Sequence, residues 1–384
     1  MGCGDKCGGC ALEKLGTGFV PVDVGVRYQQ TGLLVIGEAP GEHEVRDGKP
    51  FRPFAQAGSL FADISRQANV SRADIAIANV LSCRPPKDWL EGAPWQGNAI
   101  YNCSLRYLAQ TIETLRPRAI LALGGTAFRT LCDSPKGRYG TLDYQRGYVQ
   151  LGHGIADGIP VVPTYHPAHL RRGAPELTPL VQRDLKRALL LAQGRMVEGT
   201  HYILDPLRAG LEYRTLPTVA EAWEYARTVD PELPLSFDIE TPMSTRSDED
   251  ERTSFTNRDI KLFQCTQRRG SGIAIPFRDG YVEAIRAIVE RCRVKVGFNN
   301  WGFDDPVLSA NGIEVGRTDD AMVMFGFYYS DLPKNLQTAA QSCGFPFAWK
   351  HLGDGDLEFY GCADVDATLC VYGHMKATLE REEI

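Results

Sequence analysis

Short apolar runs alternate with longer amphipathic stretches along the chain. In the first half, four apolar runs read as buried strands: GLLVIG (32–37), IAIANVL (75–81), AILALGG (119–125) and IPVVPTY (159–165). Stretches with helical periodicity accompany them: SLFADISRQA, AIYNCSLRYLAQTIETL and PLVQRDLKRALLLAQ. Because a continuous apolar run beside amphipathic helices is typical of a strand covered on both faces, the pattern predicts an α/β domain with a mainly parallel sheet.

The pattern loosens around 194–216, and a new helical stretch begins at TVAEAWEYARTV. Four further strand candidates follow, LPLSFDIE, IKLFQC, GIAIPF and VKVGF, before mostly helical sequence. A chain of 384 residues exceeds the size at which one hydrophobic core usually keeps growing. We therefore predict two α/β domains, 1–195 and 216–384, joined by a linker over 196–215.

Composition and charge narrow the class of protein. No apolar run approaches the roughly 20 residues of a membrane helix, and the start lacks the features of a secretory signal. We therefore expect a cytoplasmic protein with no membrane partner. The net charge of −6 conceals an asymmetry, because residues 1–195 carry +6 and residues 196–384 carry −12. A basic half can meet a polyanion directly, whereas an acidic half needs bound cations or local basic patches.

Carboxylates recur at informative spacings in the second half. Asp238 and Glu240 are two apart in an apolar strand, so their side chains share one face of the sheet. Such a pair suits a divalent cation, although a DxE in a strand also arises by chance. Asp304 follows a later strand, and Tyr360 and Asp364 are four apart, which places them on one face of a helix.

The three pieces run in the order D-x-E, N-x-x-F-D and Y-x-x-x-D. This order resembles the DEDD superfamily of 3′–5′ exonucleases, in its tyrosine subclass, and above all the proofreading domain of family A DNA polymerases. The resemblance covers about 215–384 and implies an RNase H-like domain with a mixed sheet. It also implies two Mg²⁺ or Mn²⁺ ions and a tyrosine that orients the attacking water. The implied metal ligands are Asp238, Glu240, Asp304 and Asp364, and the implied tyrosine is Tyr360.

Three stretches of the first half belong together: GEAPGEHEVRDGKPF (37–51), IANVLSCRPP (77–86) and YHPAHLRR (165–172). They resemble the motifs GEAPGxxE, N-x-x-x-C-R-P-P and HPAxLxR of family 4 uracil-DNA glycosylases, over about residues 3–194. The resemblance implies a three-layer domain with a parallel sheet that excises uracil from DNA. The chain departs from the family where FRPFAQAG replaces FVGPAG and where Val45 follows Glu44.

The resemblance also implies roles for single residues. Phe51 would stack on the extruded uracil, and Asn79 would read its N3 and O4 edge. His166 would bind the uracil O2 and stabilise the leaving anion. Two carboxylates, Glu38 and Glu44, lie near where water must attack the sugar. In the last motif, Leu170 would wedge into the base stack, with Arg171 or Arg172 on phosphate.

Three cysteines stand in the opening MGCGDKCGGC. In a reducing compartment, clustered cysteines more often bind metal or are simply buried than form disulfides. The glycosylase resemblance pairs Cys7 and Cys10 with Cys83 and Cys103 as ligands of a [4Fe–4S] cluster. Spacing alone leaves tetrahedral zinc open. Cys3 is expected to be an ordinary thiol, like the cysteines outside this set.

Together these features predict a bifunctional enzyme that excises uracil from DNA and removes nucleotides from DNA 3′ ends. Such fusions look like the front end of phage replication polymerases, which would place the protein in the host cytoplasm. Because no polymerase domain follows in this chain, we expect a separately encoded polymerase partner or a longer product. The alternative is a polymerase accessory with an active exonuclease and a glycosylase-like domain that binds uracil or single-stranded DNA without cleaving.

Overall fold

The computed structural model describes residues 7–54, 56–132, 141–195, 210–242, 259–353 and 355–382. The chain divides into two compact units, residues 1–204 and 205–384. Within the described ranges, no helix combines the length and apolarity needed to cross a bilayer.

The first unit is built on a sheet of six strands in the order β1-β3-β2-β4-β6-β5. The strands are β1 (Asp23–Val24), β2 (Leu33–Gly37), β3 (Ile75–Asn79), β4 (Ala119–Leu123), β5 (Gln150–Leu151) and β6 (Pro160–Thr164). The four central strands run parallel. The two-residue strands at the edges pair antiparallel. The prediction of a mainly parallel sheet is confirmed, although short edge strands make the sheet mixed.

Helices cover both faces of this sheet. They are α1 (Leu12–Leu15), α2 (Tyr28–Thr31), α3 (Glu42–Asp47), α4 (Gln56–Gln67), α5 (Gln96–Cys103), α6 (Ala109–Leu115), α7 (Gly125–Leu131), α8 (Leu142–Gln145), α9 (Pro167–Arg171) and α10 (Thr178–Ala192). A π-helical turn, Ser104–Leu108, joins α5 to α6.

Within β2, Leu33 and Val35 pack against α4 and α10. Leu34 and Ile36 pack on the opposite side. Because successive side chains alternate between two apolar layers, the strand reads as one continuous apolar run.

The second unit has a sheet of six strands in the order β12-β11-β8-β9-β10-β7. The strands are β7 (Glu212–Thr215), β8 (Leu235–Glu240), β9 (Leu262–Thr266), β10 (Ser271–Pro276), β11 (Lys295–Gly297) and β12 (Thr318–Asp320). Strand β9 is antiparallel to both neighbours, whereas β11 and β12 run parallel to β8. From β8 onward this is the 3-2-1-4-5 order of an RNase H-like sheet, so the predicted mixed sheet is confirmed.

The helices of the second unit pack on both faces of its sheet, and the face under α16 is the polar one. They are α11 (Val219–Thr228), α12 (Val282–Arg291), α13 (Asp304–Ala310), α14 (Ala321–Tyr328), α15 (Leu336–Ser342) and α16 (Leu357–Arg381). Leu235, Phe237 and Ile239 of β8 pack in a core with α11 and α12. By alternation, Asp238 and Glu240 face the opposite side, where α16 packs on the sheet.

The linker prediction needs a correction at its carboxyl end. Residues 212–215, which the sequence pattern assigns to the linker, form β7 and pair in parallel with β10. The strand is short and mostly exposed, so it carries no apolar alternation by which sequence could reveal it. Residues 196–209 of the predicted linker lie outside the described residues.

Asp366 of α16 ties β7 to the helix. Its carboxylate accepts hydrogen bonds from Tyr213 Oη (2.8 Å), Arg269 Nε (2.7 Å) and the backbone N–H of Gly270 (3.0 Å). The side chain is 2% exposed, so these three donors replace its water. The Asp366 carboxylate is therefore a buried anchor for β7.

We predict that Asp366→Ala lowers the free energy of unfolding of the second unit by about 2–4 kcal/mol, because it leaves a buried hydroxyl and amide without an acceptor. Chemical denaturation, with hydrogen exchange at the β7 amides, measures the loss. The control is Glu212→Ala, which removes a surface ion pair with Arg268 and should cost less than about 0.5 kcal/mol. Equal stability of the two variants would refute the anchoring role.

Candidate functional site

A cavity of about 450 Å³ opens at the carboxyl edge of the first sheet. Glu38, Gly124 and His166 line it, and they follow β2, β4 and β6 respectively. The carboxyl ends of parallel strands are the usual place for a ligand site in an open α/β sheet. The structure thus brings the first and last glycosylase-like motifs to one cavity.

Asn79 and Phe51 meet beside this cavity at Gly37. Asn79 ends β3 and lies opposite Gly37 in the sheet register. A Cβ at position 37 would lie 2.5 Å from Asn79 Oδ1 and 2.6 Å from the Phe51 ring, so the approach requires glycine. Asn79 Oδ1 is buried and has no hydrogen-bond partner among the described residues. An unpaired buried acceptor of this kind is energetically costly and awaits a donor from a ligand.

Glu44 holds the backbone of Phe51. Its Oε2 accepts from the N–H of Gly41 at 2.6 Å, and its Oε1 accepts from the N–H of Phe51. From the other side, Arg72 donates to the carbonyl of Phe51 at 2.9 Å. Phe51 has φ +47°, a left-handed conformation that these contacts maintain. Burial raises the pKa of the Glu44 carboxyl. Glu44 therefore positions Phe51, and Arg72, which lies in no motif, is a contributor that sequence reasoning missed.

Glu38 is the second carboxylate at the cavity. Its Oε2 accepts from Thr126 Oγ1 at 2.7 Å, and no bond to Oε1 is formed by the described residues. Thr126 lies in α7, far from Glu38 in sequence, which is why no local motif reveals the pair. One oxygen of Glu38 is thus fixed while the other remains able to accept a proton from a molecule in the cavity.

His166 is held as a neutral hydrogen-bond donor. Its Nδ1 accepts from the N–H of Ala168 at 3.2 Å, so the proton of the neutral ring is on Nε2. Burial lowers the pKa of the imidazole to about 4. The ring lies 5.4 Å from the ring of Phe51, centroid to centroid. Phe51, Asn79 and His166 therefore converge as the motifs predict.

Leu170, the predicted wedge, is buried in this structure. Leu170 is 1% exposed and packs in the core between the sheet, α4 and α10. The apolar positions of the short helix α9 face inward, so Leu170 cannot reach a base stack without leaving the core. Arg171 and Arg172 are exposed, and Arg172 rather than Arg171 lines the cavity.

The four predicted cluster ligands line one small cavity of the first unit. Cys7, Cys10 and Cys103 are free thiols. The N–H of Ser82 points at Cys103 Sγ at 3.2 Å, and burial raises the pKa of that thiol. Cys83 lines the same cavity and is disulfide-bonded in this structure.

In the second unit, Asp238, Glu240 and Asp364 form a compact group whose ligand atoms all lie within 4.8 Å of one another. No other described group of three histidine, cysteine or acidic side chains meets this distance. Asp304 abuts the group, because its Oδ1 accepts from the N–H of Ile239 at 3.2 Å. All four predicted metal ligands are thus brought together.

Close helix–sheet packing produces this arrangement. A Cβ at position 361 would lie 2.4 Å from the amide nitrogen of Gln264, so only glycine lets α16 approach β9 at this point. Tyr360 and Asp364 flank that glycine on the same helix. Their side chains therefore reach the carboxylates of β8.

Burial and mutual repulsion disfavour charge on these acids. Burial, reinforced by Asp364, raises the pKa of Glu240 to about 7. Burial raises the pKa of Asp304 to about 8. The pKa of Asp238 is raised well above its usual range by burial and by its three acidic neighbours. A divalent cation relieves such repulsion, so the donor set fits Mg²⁺ or Mn²⁺.

Lys350 and Trp349 also enter this group, although no motif contains them. Lys350 Nζ lies 2.8 Å from Asp364 Oδ1 and 2.7 Å from the Tyr360 hydroxyl. Trp349 donates its indole N–H to Asp364 Oδ1 at 2.5 Å. Two other acids of the second unit stay outside this group: Asp305 accepts hydrogen bonds from Asn300 and Thr318, and Asp320 caps α14.

The model of the uracil DNA glycosylase superfamily matches residues 25–189. A type-4 uracil-DNA glycosylase of Thermotoga maritima is 34% identical over 184 residues, which cover 48% of this chain and 88% of that protein. A type-4 enzyme of Pyrobaculum aerophilum is 33% identical over 180 residues, or 47% of this chain and 86% of that protein. The chain belongs to the uracil-DNA glycosylase superfamily. The predicted likeness of its first half to family 4 is confirmed.

In this superfamily member, the matched residues include His166 at the cavity, Phe51 and Asn79 beside it, and Cys83 and Cys103. Cys7 and Cys10 precede the matched residues. The superfamily match therefore covers the residues of the first cavity, whereas the carboxylate group of the second unit lies outside the matched residues.

Two solved structures from Trypanosoma brucei are also similar to the chain. The catalytic core of RRP6 is 16% identical with a TM-score of 0.34, over 45% of this chain and 51% of that one. RNase D in complex with RNA U12 is 17% identical with a TM-score of 0.30, over 43% of this chain and 62% of that one. At these scores the likeness carries no weight for the chemistry of the second unit.

We predict that His166 stays uncharged, with its proton on Nε2, between about pH 5 and pH 8. Because its folded-state pKa of about 4 lies below the ordinary value of about 6.5, its contribution to stability is complete above about pH 6.5 and is lost as the pH falls toward 4. Nitrogen-15 NMR of the imidazole reports both tautomer and titration, and His166→Gln identifies the resonance. A titration midpoint above about pH 6 would contradict the buried neutral ring.

Proposed function

We propose that this chain is a DNA-processing enzyme with two active sites. The first unit excises uracil from DNA by hydrolysis of the N-glycosidic bond, and the second removes nucleotides from DNA 3′ ends. The observation that carries the first activity is that the unpaired Asn79 Oδ1 and the neutral His166 both lie near Phe51 in a superfamily member. The observation that carries the second is the close group of Asp238, Glu240 and Asp364.

The first site selects uracil by hydrogen-bond polarity. Asn79 Oδ1 accepts the N3–H of uracil, and its Nδ2 donates to O4. Cytosine has no proton at N3 and carries an amino group in place of O4, so both contacts would be repulsive. Phe51 stacks on the base, whose extrusion from the helix exposes this edge.

Bond cleavage at this site uses the neutral histidine. As the N-glycosidic bond breaks, negative charge develops on the departing uracil, including O2. The Nε2–H of His166 donates to O2 and stabilises that charge in a desolvated cavity. Glu38, with one oxygen tethered to Thr126, orients the water that attacks the sugar. Arg171 and Arg172 are exposed, with Arg172 at the cavity, and they bind the phosphate backbone.

The second site is a phosphodiesterase centre. Asp238, Glu240, Asp304 and Asp364 would hold two Mg²⁺ or Mn²⁺ ions, which supply Lewis-acid stabilisation of the charge on the scissile phosphate. Tyr360 positions the attacking water through its hydroxyl. The acidity of this unit is consistent with such a cation-dependent site.

Type-4 relatives and the shared cavity support a [4Fe–4S] cluster on Cys7, Cys10, Cys83 and Cys103. Tetrahedral zinc with bonds of about 2.3 Å would bring the sulfurs about 3.8 Å apart. The likeness to type-4 enzymes favours the larger cluster over a single zinc ion. The cluster would fix the N-terminal segment to the helix that carries Cys103.

A separately encoded DNA polymerase as partner, and a phage origin, stay predictions. The alternative function, an exonuclease whose glycosylase-like unit binds without cleaving, makes use of the same cavity. One uracil-containing oligonucleotide distinguishes this alternative from the proposed function.

We predict two separable activities on a 5′-labelled oligonucleotide with one uracil. In EDTA the enzyme makes an alkali-sensitive site at the uracil, and in Mg²⁺ it also produces a ladder from the 3′ end. Asn79→Ala slows uracil release at least about 100-fold because both base contacts are lost. The double substitution of Asp238 and Glu240 by Ala removes the ladder. Each variant retains the other activity.

The matched control is Glu314→Ala, which changes an exposed acid and should leave both activities intact. Binding of the uracil strand without any alkali-sensitive site would establish the non-cleaving alternative. A ladder that survives in the double variant would refute the exonuclease assignment.

We predict that protein purified anaerobically with a reductant contains about four iron and four sulfide per chain and absorbs near about 400 nm. Cys10→Ser should lose the absorption, whereas Cys132→Ser, at a buried cysteine outside the set, should keep it. A colourless protein with stoichiometric zinc would overturn the cluster.

A further inference from the structure

Lys350 places a positive charge inside the carboxylate group of the second unit. Its ammonium donates to the Tyr360 hydroxyl at 2.7 Å and to the two oxygens of Asp364 at 2.8 and 3.0 Å. These contacts account for the three protons of the ammonium. The side chain of Lys350 is 20% exposed and that of Asp364 is 8% exposed, so the pair lies largely out of water.

The contacts of Lys350 differ from those of a surface lysine. Its Nζ also lies 4.6 Å from the centre of the Tyr360 ring, which orients the ring as well as the hydroxyl. Trp349, the preceding residue, is fully buried and donates to the same oxygen of Asp364. Asp364 therefore already accepts three hydrogen bonds before any cation is bound.

Charge balance indicates what this arrangement does. Once divalent cations displace their protons, the four carboxylates carry four negative charges against the one positive charge of Lys350. With two divalent cations bound, the group and Lys350 together are left with one positive charge. A single phosphodiester neutralises that charge, so the lysine matches the site to its substrate.

We propose that Lys350 is a positioning residue and an internal counter-ion of the exonuclease site. It holds the Tyr360 hydroxyl in place, and it competes with the divalent cation for Asp364. This inference rests on the proposed exonuclease function. It follows that removal of Lys350 strengthens cation binding and weakens catalysis, two effects that a merely structural lysine would not combine.

The test compares Lys350→Met with Lys376→Met in the full chain. Lys376 lies exposed on α16, with its ammonium 5.8 Å from the centre of the Tyr372 ring. Its substitution removes the same positive charge at a position away from the carboxylates. Calorimetric titration with Mn²⁺, without DNA, measures the dissociation constant directly. We expect Lys350→Met to bind Mn²⁺ about tenfold more tightly, and Lys376→Met to bind as the unmodified protein does.

Catalysis supplies the second readout. At saturating Mn²⁺, Lys350→Met should release 3′ nucleotides at least about tenfold more slowly, because the Tyr360 hydroxyl loses its partner. The variant that combines Lys350→Met with Tyr360→Phe should be no slower than the worse single variant, since the two residues act through one contact. Uracil release in EDTA by the same samples verifies that each chain is folded in its first unit. Thermal unfolding in EDTA and in Mn²⁺ verifies that the second unit of each variant is folded.

The outcomes separate this proposal from the one on which it rests. Unchanged or weaker Mn²⁺ binding by Lys350→Met, together with loss of binding in Asp238→Ala, would overturn the counter-ion role and leave the metal site standing. Additive losses of rate would overturn the positioning role. Absence of Mn²⁺ binding by the unmodified protein would overturn the exonuclease function itself.

Discussion

At both sites, polar groups are buried away from water, and the described residues supply too few hydrogen-bond partners or positive charges for them. Asn79 Oδ1 has no hydrogen-bond partner among the described residues, and the second-unit acids face one another across less than 4.8 Å. Each arrangement costs free energy in the absence of a ligand, because a buried acceptor or charge loses its hydration without compensation. In the proposed function, a uracil edge relieves the first cost and divalent cations relieve the second. The same burial keeps His166 neutral, so that it can donate a hydrogen bond.

The scaffolds maintain these unfavourable arrangements through packing on the opposite side. In the first unit, two apolar layers fix the central strands, and the ligand-facing residues follow their carboxyl ends. In the second, Phe237 and Ile239 bury one face of β8 while Asp238 and Glu240 occupy the other. Glycines at 37 and 361 allow close approach where a Cβ would collide. Function in both units therefore requires cores that are rigid enough to resist relaxation of the site.

Supporting residues divide the work between positioning and chemistry. Glu44 and Arg72 hold the backbone of Phe51 from two sides. Glu38 faces the cavity, with one oxygen bonded to Thr126. In the second unit, Trp349 and Lys350 act on Asp364 and Tyr360 in a comparable way. The two sites differ in their need for cations. In the proposed mechanism a neutral histidine stabilises the leaving anion, whereas the crowded carboxylates of the second unit need positive charge nearby.

The sequence by itself determined the central strands, the two-unit organisation and most of the site residues. Strands buried on both faces read as apolar runs, and spacings of two on a strand or four on a helix place side chains on one face. These are local relations, so they survive without knowledge of the fold. The family resemblance added the roles proposed for Phe51, Asn79 and His166.

Tertiary structure alone decided what covers each residue. Leu170 is in the core because α4 and α10 enclose it, and Asp366 is an anchor because β7 and the β9–β10 turn bring it donors. Lys350 reaches Asp364 from a separate turn, and edge strand β7 forms because β10 offers it an unpaired edge. Burial, pairing and counter-charge arise from segments distant in sequence, so no local pattern could have contained them.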